Sequence, residues 1–165
     1  MILEAKAHVF GDNINTDQII SGKYIHKAKD IEALIPHFMG DIRPGFSKML
    51  KPGDFIVGGK NFGAGSSKVH ATLLVKQAGV GAVIAGSFGR SFYRNAVNQG
   101  LLLIECDWHS IHDFDVLRID LKEGYLNNLN QTEGFKIKPL SSMINRIRSE
   151  GGLINYYKKH KNWPV

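Results

Sequence analysis

The sequence predicts an α/β fold with a small parallel sheet at its core, and three observations support this. Three short apolar runs, FIV, AVIA and LLLI, have the length of buried strands. Two segments with helical periodicity separate them, which gives the order strand, helix, strand, helix, strand. This order predicts parallel strands joined by right-handed crossovers. Because the chain has 165 residues and 43% of them are hydrophobic, we expect a single domain over residues 1–165.

The N-terminal segment predicts a strand followed by a long loop. Apolar and polar residues alternate over residues 3–9, which is the period of a half-buried strand. Residues 11–27, GDNINTDQIISGKYIHK, are rich in Gly, Asn and Asp, so we expect a long irregular loop there. Loops of this length in a small domain are usually functional or disordered.

The central part of the chain supplies the predicted core. A turn at KPG precedes a buried strand at residues 55–57. In the helix that follows, the apolar residues share one face, and Gly79 is placed to end the helix. These apolar residues are Ala71, Leu74, Val75 and Ala78. VGAVIAG then predicts a second strand, SFGRSFYRNAVNQG a second helix closed by Gly100, and LLLIEC a third strand.

The C-terminal part predicts antiparallel strands and then helices. FDVLRIDLKEGYLNNLNQTEGFKIKPL has the pattern of a short antiparallel meander with turns at KEG and QTEG. SSMINRIRSEGGLINYYKKH predicts one or two terminal helices. We expect the first of them to be capped by Ser141 or Ser142 and to end near Gly151.

Composition and charge narrow the classes of function. The formal net charge is +6 and the pI is near 9.4, which is compatible with nucleic-acid binding. The lysines and arginines are scattered, however, and the densest cluster is YYKKHKNW at the C-terminus. We therefore expect an anionic small ligand or an acidic partner surface, and no nucleic acid.

The cysteine count, the N-terminal pattern and the lengths of the apolar runs bear on metal binding and location. Cys106 is the only cysteine, so this chain alone cannot build a disulfide framework or a cysteine-ligated metal cluster. The N-terminus, MILEAKAHVF, alternates apolar and polar residues, which is not the pattern of a signal peptide. The longest apolar runs are shorter than the ~20 residues of a membrane helix. We expect a cytoplasmic protein with no membrane segment.

The segment NFGAGSSKVH, residues 61–70, joins the first core strand to the first helix and is the main candidate site. Loops at the carboxyl ends of parallel strands gather on one side of the sheet, where ligands bind. Helix-start N–H groups favour anions there, and Lys68 adds a positive charge. Gly63 and Gly65 permit unusual dihedral angles and a close approach of ligand to backbone. We expect one crevice lined by Ser66, Ser67, Lys68, Ser87 and Arg90.

Other interpretations of this segment are two phosphate-binding motifs and two purely structural roles. A P-loop needs G-x-x-x-x-G-K-[ST], and a dinucleotide-binding turn needs a third glycine where Lys68 stands, so neither motif is met. Ser66 or Ser67 could serve only as the N-cap of the helix. His70 could be a hydrogen-bonded structural histidine instead of a supporting residue of the site.

Three segments in this order resemble one known family. NTDQI, KPGDFIVGGKNFGAGSSKVHA and SFGRSFYRNAVNQGL are similar, in sequence and spacing, to the small subunit of 3-isopropylmalate dehydratase. That subunit is similar to the mobile C-terminal swivel domain of aconitase. The resemblance covers residues 5–106 well, and the C-terminal tail agrees in layout. It implies a β/β/α swivel fold and one half of a dehydratase-isomerase active site.

The resemblance also implies a division of the chemistry between two chains. In this family the large subunit carries a [4Fe-4S] cluster, whose open iron acts as a Lewis acid on the substrate hydroxyl. The single Cys106 fits that division, because the cluster ligands must come from elsewhere. We therefore expect no metal on this chain, a large iron-sulfur subunit as partner in a hetero-oligomer, and no activity from this chain alone.

Particular residues take roles by the same resemblance. Ser66 occupies the position of the serine that, as an alkoxide, removes the proton from the carbon next to a carboxylate. Because a serine hydroxyl is a very weak acid, such a site must stabilise negative charge strongly. Ser67 and Lys68 match positions that bind substrate carboxylate. The residues that match the cavity lining and the substrate-selecting loop are Thr16, Asp17, Tyr24, His26 and Lys27.

The chain departs from the family pattern in the serine segment. The usual run is G-C-G-S-S-R-E-H, whereas this chain has Ala64, Lys68 and Val69 in place of the Cys, Arg and Glu. A lysine cannot make the two-pronged contact that arginine offers a carboxylate. The selecting loop, YIHK, is also more polar than an isopropyl group requires. Isopropylmalate is therefore the first substrate, and homocitrate or a methylated malate is the close alternative.

An alternative from another class of protein is also open. The basic pI, together with Lys68 and Val69, is compatible with a non-catalytic swivel module that binds anions or RNA. Such a module would bind RNA in a salt-sensitive way and would be indifferent to loss of the Ser66 hydroxyl.

Overall fold

Seven strands form one mixed sheet in the structure, a computed structural model that describes residues 1–164. In chain order they are β1 (Ile2–Val9), β2 (Phe55–Gly58), β3 (Ala82–Ala85), β4 (Leu103–Glu105), β5 (Val116–Asp120), β6 (Tyr125–Asn128) and β7 (Glu133–Lys136). Across the sheet the order is β4-β3-β2-β1-β5-β6-β7. The strands are parallel from β4 to β1 and antiparallel from β1 to β7. The predicted parallel core and antiparallel meander are confirmed.

Strand β1 joins the two halves of this sheet. Its C-terminal part pairs in parallel with β2, where Val9 lies opposite Val57. Its N-terminal part pairs antiparallel with β5, where Ile2 lies opposite Asp120. The alternating pattern of β1 predicts a strand, but its central place could not be predicted because both partners lie far along the chain.

Helices fill the connections between the strands. They are α1 (Thr16–Ile19), α2 (Gly22–Ile25), a 3₁₀ helix (Glu32–His37), α3 (Phe46–Met49), α4 (His70–Gln77), α5 (Arg90–Gln99), α6 (Ser142–Ser149) and α7 (Leu153–His160). Among the described residues, no helix has the length and apolar character needed to cross a membrane.

The prediction of an irregular loop over residues 11–27 is wrong in part, because α1 and α2 lie within it. A reciprocal capping box starts α1. The Asn15 side chain accepts from the N–H of Gln18 at 2.9 Å, and the Gln18 side chain accepts from the N–H of Asn15 at 2.9 Å. Two N–H groups at the start of the helix are satisfied in this way, which fixes the helix after β1.

The sheet separates two apolar clusters. Because successive side chains of a strand point to opposite faces, Ile56 packs in one cluster and Val57 in the other. The first cluster contains the buried residues of α4 and α5, namely Ala71, Leu74, Val75, Phe92 and Ala96. The second contains the buried residues of β5 and β6, namely Leu117, Ile119 and Leu126. Helices α4 and α5 are therefore fixed on one face, and the loops that lead into them follow the carboxyl ends of β2 and β3.

The predicted helix ends agree with the structure. Gly79 and Gly100 follow α4 and α5 with φ of 78° and 76°, values that favour glycine. The Ser141 hydroxyl accepts from the N–H of Ile144 at 3.3 Å and so caps α6. Gly151 follows the last turn of α6 with φ of 72°.

The second turn of the meander lies earlier than QTEG predicted. The turn spans residues 129–132, and Gly134 lies within β7 opposite Asn127. Asparagine side chains fix the turn at its start. Asn128 Oδ1 accepts from the N–H of Asn130 at 3.0 Å, and Asn130 Oδ1 accepts from the N–H of Val116 at 2.7 Å.

Candidate active site

The segment after β2 comprises residues 59–69. Its first stretch, residues 59–64, is bound to the segment after β1. This contact continues the parallel pairing of β1 and β2 beyond the ends of the two strands. Three N–H groups of the stretch donate across it: Gly59 to the Gly11 carbonyl at 2.6 Å, Lys60 to Asp12 Oδ1 at 2.6 Å and Gly63 to the Ile14 carbonyl at 2.6 Å.

On its other side the same stretch contacts the loop after β3. The N–H of Asn61 donates to Ser87 Oγ at 2.9 Å, and the N–H of Phe62 donates to the Ser87 carbonyl at 2.9 Å. The Phe62 carbonyl accepts from the N–H of Gly89 at 2.8 Å. The two loops at the carboxyl ends therefore meet as predicted, and the Ser87 hydroxyl lies at their contact.

The first part of the segment also packs closely against α5. Phe62 is fully buried, and its ring lies 5.5 Å from that of Phe92 in an edge-on contact. Gly63 has φ of +76°, and a Cβ at this position would lie 2.2 Å from Phe92 Cγ. Close packing explains this glycine, because any side chain would collide with the ring.

Side chains from two separate helices hold the serines that follow. Thr16 Oγ1 accepts from the N–H of Ser66 at 2.9 Å. Asn95 Nδ2 donates to the Ser67 carbonyl at 3.0 Å. Thr16 starts α1 and is 6% exposed, whereas Asn95 lies in α5 and is half-buried. The serine pair is thereby tethered at successive residues.

The hydroxyl of Ser66 accepts a hydrogen bond within the segment. The backbone N–H of Lys68 donates to Ser66 Oγ at 3.2 Å. A fixed donor at this position favours negative charge on the oxygen. The alternative that Ser66 or Ser67 serves as the N-cap of α4 is wrong, because Val69 occupies the N-cap position and no side chain caps it.

Other predicted residues of the segment have different surroundings. The side chains of Lys68 and Asp17 are exposed, and no hydrogen bond or ion pair within residues 1–164 involves them. Nδ1 of His70 is buried without a hydrogen-bond partner in the described part of the chain. Gly65 has φ of +110°, and a Cβ there would lie 3.1 Å from Thr16 Oγ1. The Lys68 ammonium group is therefore available to an anion.

The predicted substrate-selecting residues lie on and just after α2. Tyr24 stacks on His37 with ring centroids 3.8 Å apart, and its hydroxyl donates to Asp41 Oδ1 at 3.4 Å. His26 and Lys27 are exposed. Within residues 1–164, no hydrogen bond, ion pair or ring contact joins these three residues to the segment after β2. Their role in selecting a substrate stays a prediction.

Arg90 does not converge with the serines as we expected. It is the first residue of α5 and lines a cleft of about 810 Å³ between that helix and residues 138–144. The lining of this cleft includes no residue of the segment after β2. The preceding residue, Gly89, packs against Ala64, where a Cβ would lie 2.9 Å from Ala64 Cα, and α5 begins at the next residue.

Within residues 1–164, no group of three or more His, Cys, Asp or Glu side chains could hold a metal ion. Burial raises the pKa of the Cys106 thiol to about 12, with a smaller contribution from the charge of Asp107. The thiol is therefore protonated at neutral pH.

The structure adds contacts that the sequence did not reveal. Asn95 was not predicted to have any role, and Thr16 was expected to line the cavity instead of binding the backbone of the serine segment. The partners are 28 residues apart for Asn95 and Ser67, and 50 apart for Thr16 and Ser66. No local pattern connects such distant positions. One signal was available, since the spacing N-x-x-Q at residues 15–18 is that of a capping box.

Comparison with known proteins adds a family to this geometry. A family model described as the aconitase C-terminal domain matches residues 12–108. The chain is 47% identical to 3-isopropylmalate dehydratase small subunit 2 of Archaeoglobus fulgidus, over 97% of this chain and 97% of that protein. It is 42% identical to the methanogen homoaconitase small subunit of Methanocaldococcus jannaschii, over 98% of this chain and 94% of that protein.

A solved structure agrees with the fold as well. The crystal structure of a 3-isopropylmalate dehydratase from Methanocaldococcus jannaschii superposes with a TM-score of 0.92. The superposition covers 98% of this chain and 96% of the other, at 42% sequence identity.

Proposed function

Because the chain belongs to the aconitase C-terminal domain family, we propose that it is the small subunit of a 3-isopropylmalate dehydratase. This enzyme is a hydro-lyase that interconverts 2-isopropylmalate and 3-isopropylmalate in leucine biosynthesis. The reaction removes a proton and a hydroxyl group from adjacent carbons, which leaves a double bond. Water then adds back with the hydroxyl on the other carbon.

We propose that Ser66 is the base that takes and returns the proton. The observation that carries this role is the hydrogen bond from the N–H of Lys68 to Ser66 Oγ, at 3.2 Å. A deprotonated serine needs donors that are already in place, since reorienting them would raise the barrier. The N-terminus of α4, which begins at His70, adds a positive dipole end close to the same oxygen in sequence.

Holding Ser66 in place is the role that the geometry supports for Thr16. Its hydroxyl accepts from the Ser66 N–H at 2.9 Å, so the oxygen is used in binding the backbone. Ser67 and Lys68 bind the substrate carboxylate, with Lys68 supplying one point charge. Asp17, Tyr24, His26 and Lys27 are assigned to the cavity wall and to substrate selection on the resemblance alone.

The [4Fe-4S] cluster of the family belongs on the large subunit. The donor set of this chain does not fit a cluster, because its one cysteine has a raised thiol pKa and a cluster is held by several thiolates. The partner must therefore bring the group that acts on the leaving hydroxyl. We also propose a cytoplasmic location, as expected of a biosynthetic enzyme, and a hetero-oligomer as the active form.

Two observations support a second class of substrate. The homoaconitase small subunit of Methanocaldococcus jannaschii is similar over nearly the full chain, at 42% identity. The exposed basic residues of the predicted selecting loop, His26 and Lys27, suit an additional carboxylate better than an isopropyl group. Homocitrate, which has a third carboxylate, is therefore the alternative candidate that these residues favour, and the methylated malates named in the sequence analysis are tested beside it.

The experiment is anaerobic co-expression with the cognate large subunit, followed by an ultraviolet assay of the unsaturated product. The candidate acids are isopropylmalate, homocitrate and methylated malates. We expect turnover of one acid by the complex and none by the small subunit alone. Ser66→Ala is the test variant. Ser67→Ala is its matched control, since it removes a neighbouring hydroxyl but should mainly raise KM.

Two results would contradict the proposal. Turnover by the purified small subunit without its partner would contradict the proposal that the chemistry is divided between two chains. A cluster-loaded complex that turns over none of the acids, while the chain binds RNA in a salt-sensitive way, would favour the non-catalytic binding module.

A further inference from the structure

We propose that the large subunit docks in the cleft beside α5, through a segment that carries carboxylates next to apolar side chains. This inference rests on the proposed function, which requires a large subunit. The cleft has a volume of about 810 Å³ and lies between the first half of α5, the edge strand β4 and residues 138–144.

The cations of the cleft have no partners within the described chain. Arg90, Arg94 and Lys138 line it, and no hydrogen bond or ion pair of residues 1–164 involves their side chains. Every other arginine has a partner: Arg43 binds Asp113, Arg118 binds Glu4, Arg148 binds Asn145, and Arg146 is also engaged. Glu105 is the only carboxylate in the lining. Two unpaired guanidinium groups favour a partner that brings carboxylates.

Apolar and aromatic side chains form a further part of the lining of the cleft. They are Phe88, Tyr93, Leu103, Leu140 and Ile144. A second hollow of about 400 Å³ adjoins it and shares Tyr93, Arg94 and Ile144 with it. Met143 lines the second hollow and is 43% exposed. Together the two hollows form one groove along α5, and its extent suits a polypeptide segment. Arginine, aromatic residues and methionine are the types enriched at protein interfaces.

The groove is continuous with the candidate active site. Asn95 lines the second hollow, and the same side chain donates to the Ser67 carbonyl at 3.0 Å. Phe88 lines the main cleft and also pairs with Phe62 in an isolated bridge. A large subunit that completes the site around Ser66 must approach this edge of the sheet. The groove therefore lies beside the surface that the partner has to cover.

The charge of the chain argues against a second copy as the occupant. The formal net charge is +6, so two copies facing each other through a cationic groove would repel. A partner with an acidic docking surface would meet no such repulsion.

The test measures the affinity of the full-length chain for its cognate large subunit, anaerobically, by calorimetric titration. The variants are Arg94→Glu and Lys138→Glu, with Met143→Asp as an apolar position in the same groove. Lys122→Glu is the matched control, because it makes the same charge change at an exposed turn between β5 and β6. Thermal unfolding of each variant checks that it folds.

We expect each charge reversal in the groove to raise Kd about tenfold, and the control to leave it unchanged. The affinity of the wild type should also fall as salt is added, since exposed charge pairs are screened. At saturating large subunit, Arg94→Glu and Lys138→Glu should keep the wild-type kcat, because neither residue touches the serine segment.

Several outcomes would overturn the inference. Wild-type affinity in all three groove variants would do so while leaving the proposed function intact. A second outcome is that isopropylmalate binds saturably to the small subunit alone. If Arg94→Glu abolishes this binding and leaves the affinity for the large subunit unchanged, the cleft is a site for a small anion. A wild-type chain that does not bind the large subunit at all would remove the proposed function, and the inference with it.

Discussion

The two halves of the segment after β2 differ in what holds them. Residues 59–64 are bound through their backbone to the segments after β1 and β3, and Phe62 within them is fully buried. In residues 65–69, apart from the first turn of α4, two hydrogen bonds reach another part of the described chain. The Ser66 N–H donates to Thr16 Oγ1, and Asn95 Nδ2 donates to the Ser67 carbonyl. The first half is therefore part of the folded core, and the second half depends on a few polar contacts.

This difference teaches how one loop can serve both stability and chemistry. Residues 59–64 fix the position at which the serines begin relative to the sheet. Residues 65–69 hold Ser66 by a few hydrogen bonds, which can adjust when a partner and a substrate bind. Substitutions in the first half should therefore act on folding, and substitutions in the second half should act on turnover.

Ser66→Ala should give the largest effect and confine it to turnover. Loss of the base is expected to lower kcat of the reconstituted complex about 10³-fold. The unfolding temperature of the small subunit should not change, because the hydroxyl makes only a local contact to the Lys68 N–H. Steady-state kinetics and a thermal melt measure the two parts. Retention of wild-type kcat would remove Ser66 from the mechanism.

Gly63→Ala should show the opposite pattern. The new Cβ would lie 2.2 Å from Phe92 Cγ at a φ of +76°, so both overpacking and backbone strain apply. We expect a loss of about 3 kcal/mol in the free energy of unfolding, measured by urea titration. Gly53→Ala is the control, since its φ is also positive, at +94°, but nothing lies within 4 Å of the added Cβ. Equal losses at the two positions would show that packing against Phe92 is not the cause.

Thr16→Val should lower turnover, although Thr16 lies in α1 and outside the segment after β2. The valine keeps the shape but leaves the Ser66 N–H without its acceptor, which we expect to lower kcat about tenfold. KM should change little if Thr16 acts through Ser66 and not on the substrate. Thr16→Ser should recover most of kcat. A rise in KM with unchanged kcat would instead place Thr16 in contact with substrate.

Asn95→Ala should have the smallest effect of the four. The amide donates one hydrogen bond to the carbonyl of Ser67, an exposed residue whose carbonyl water can also reach. The expected loss is about threefold in kcat/KM, corresponding to a bond of about 0.5–1 kcal/mol. Asn98→Ala, one turn further along α5 and exposed, serves as the control. Identical kinetics for the two variants would indicate that the Ser67 tether does not matter for turnover.

The parts of the fold that the sequence predicted are those with a local signal. Buried runs and helical periodicity indicate β2, α4, β3, α5 and β4 in order, and Gly79 and Gly100 mark the helix ends because positive φ favours glycine. The antiparallel strands were predicted for the same reason. The short helix α1 was missed, although its capping box lies within four consecutive residues, because the polar composition of residues 11–27 indicated a loop.

The candidate site was predicted only as far as it is continuous in sequence. Ser66, Ser67 and Lys68 lie in one motif, and the structure brings Ser87 to the same edge of the sheet. The contacts of Thr16 and Asn95 could not be predicted, because tertiary hydrogen bonds between distant residues leave no periodic trace. Arg90 was predicted to lie with the serines, whereas in the structure it lines the cleft beside α5.

The central position of β1 has a consequence for how the chain is made. This strand leaves the ribosome before both of its partners, since the parallel partner begins at residue 55 and the antiparallel partner at residue 116. The backbone groups of β1 that face β5 therefore stay unpaired until residues 116–120 have been synthesised, and long-range pairings of this kind form slowly. An unpaired strand edge on a growing chain is prone to aggregation. We therefore expect chaperone binding during synthesis to centre on β1 until β5 has emerged.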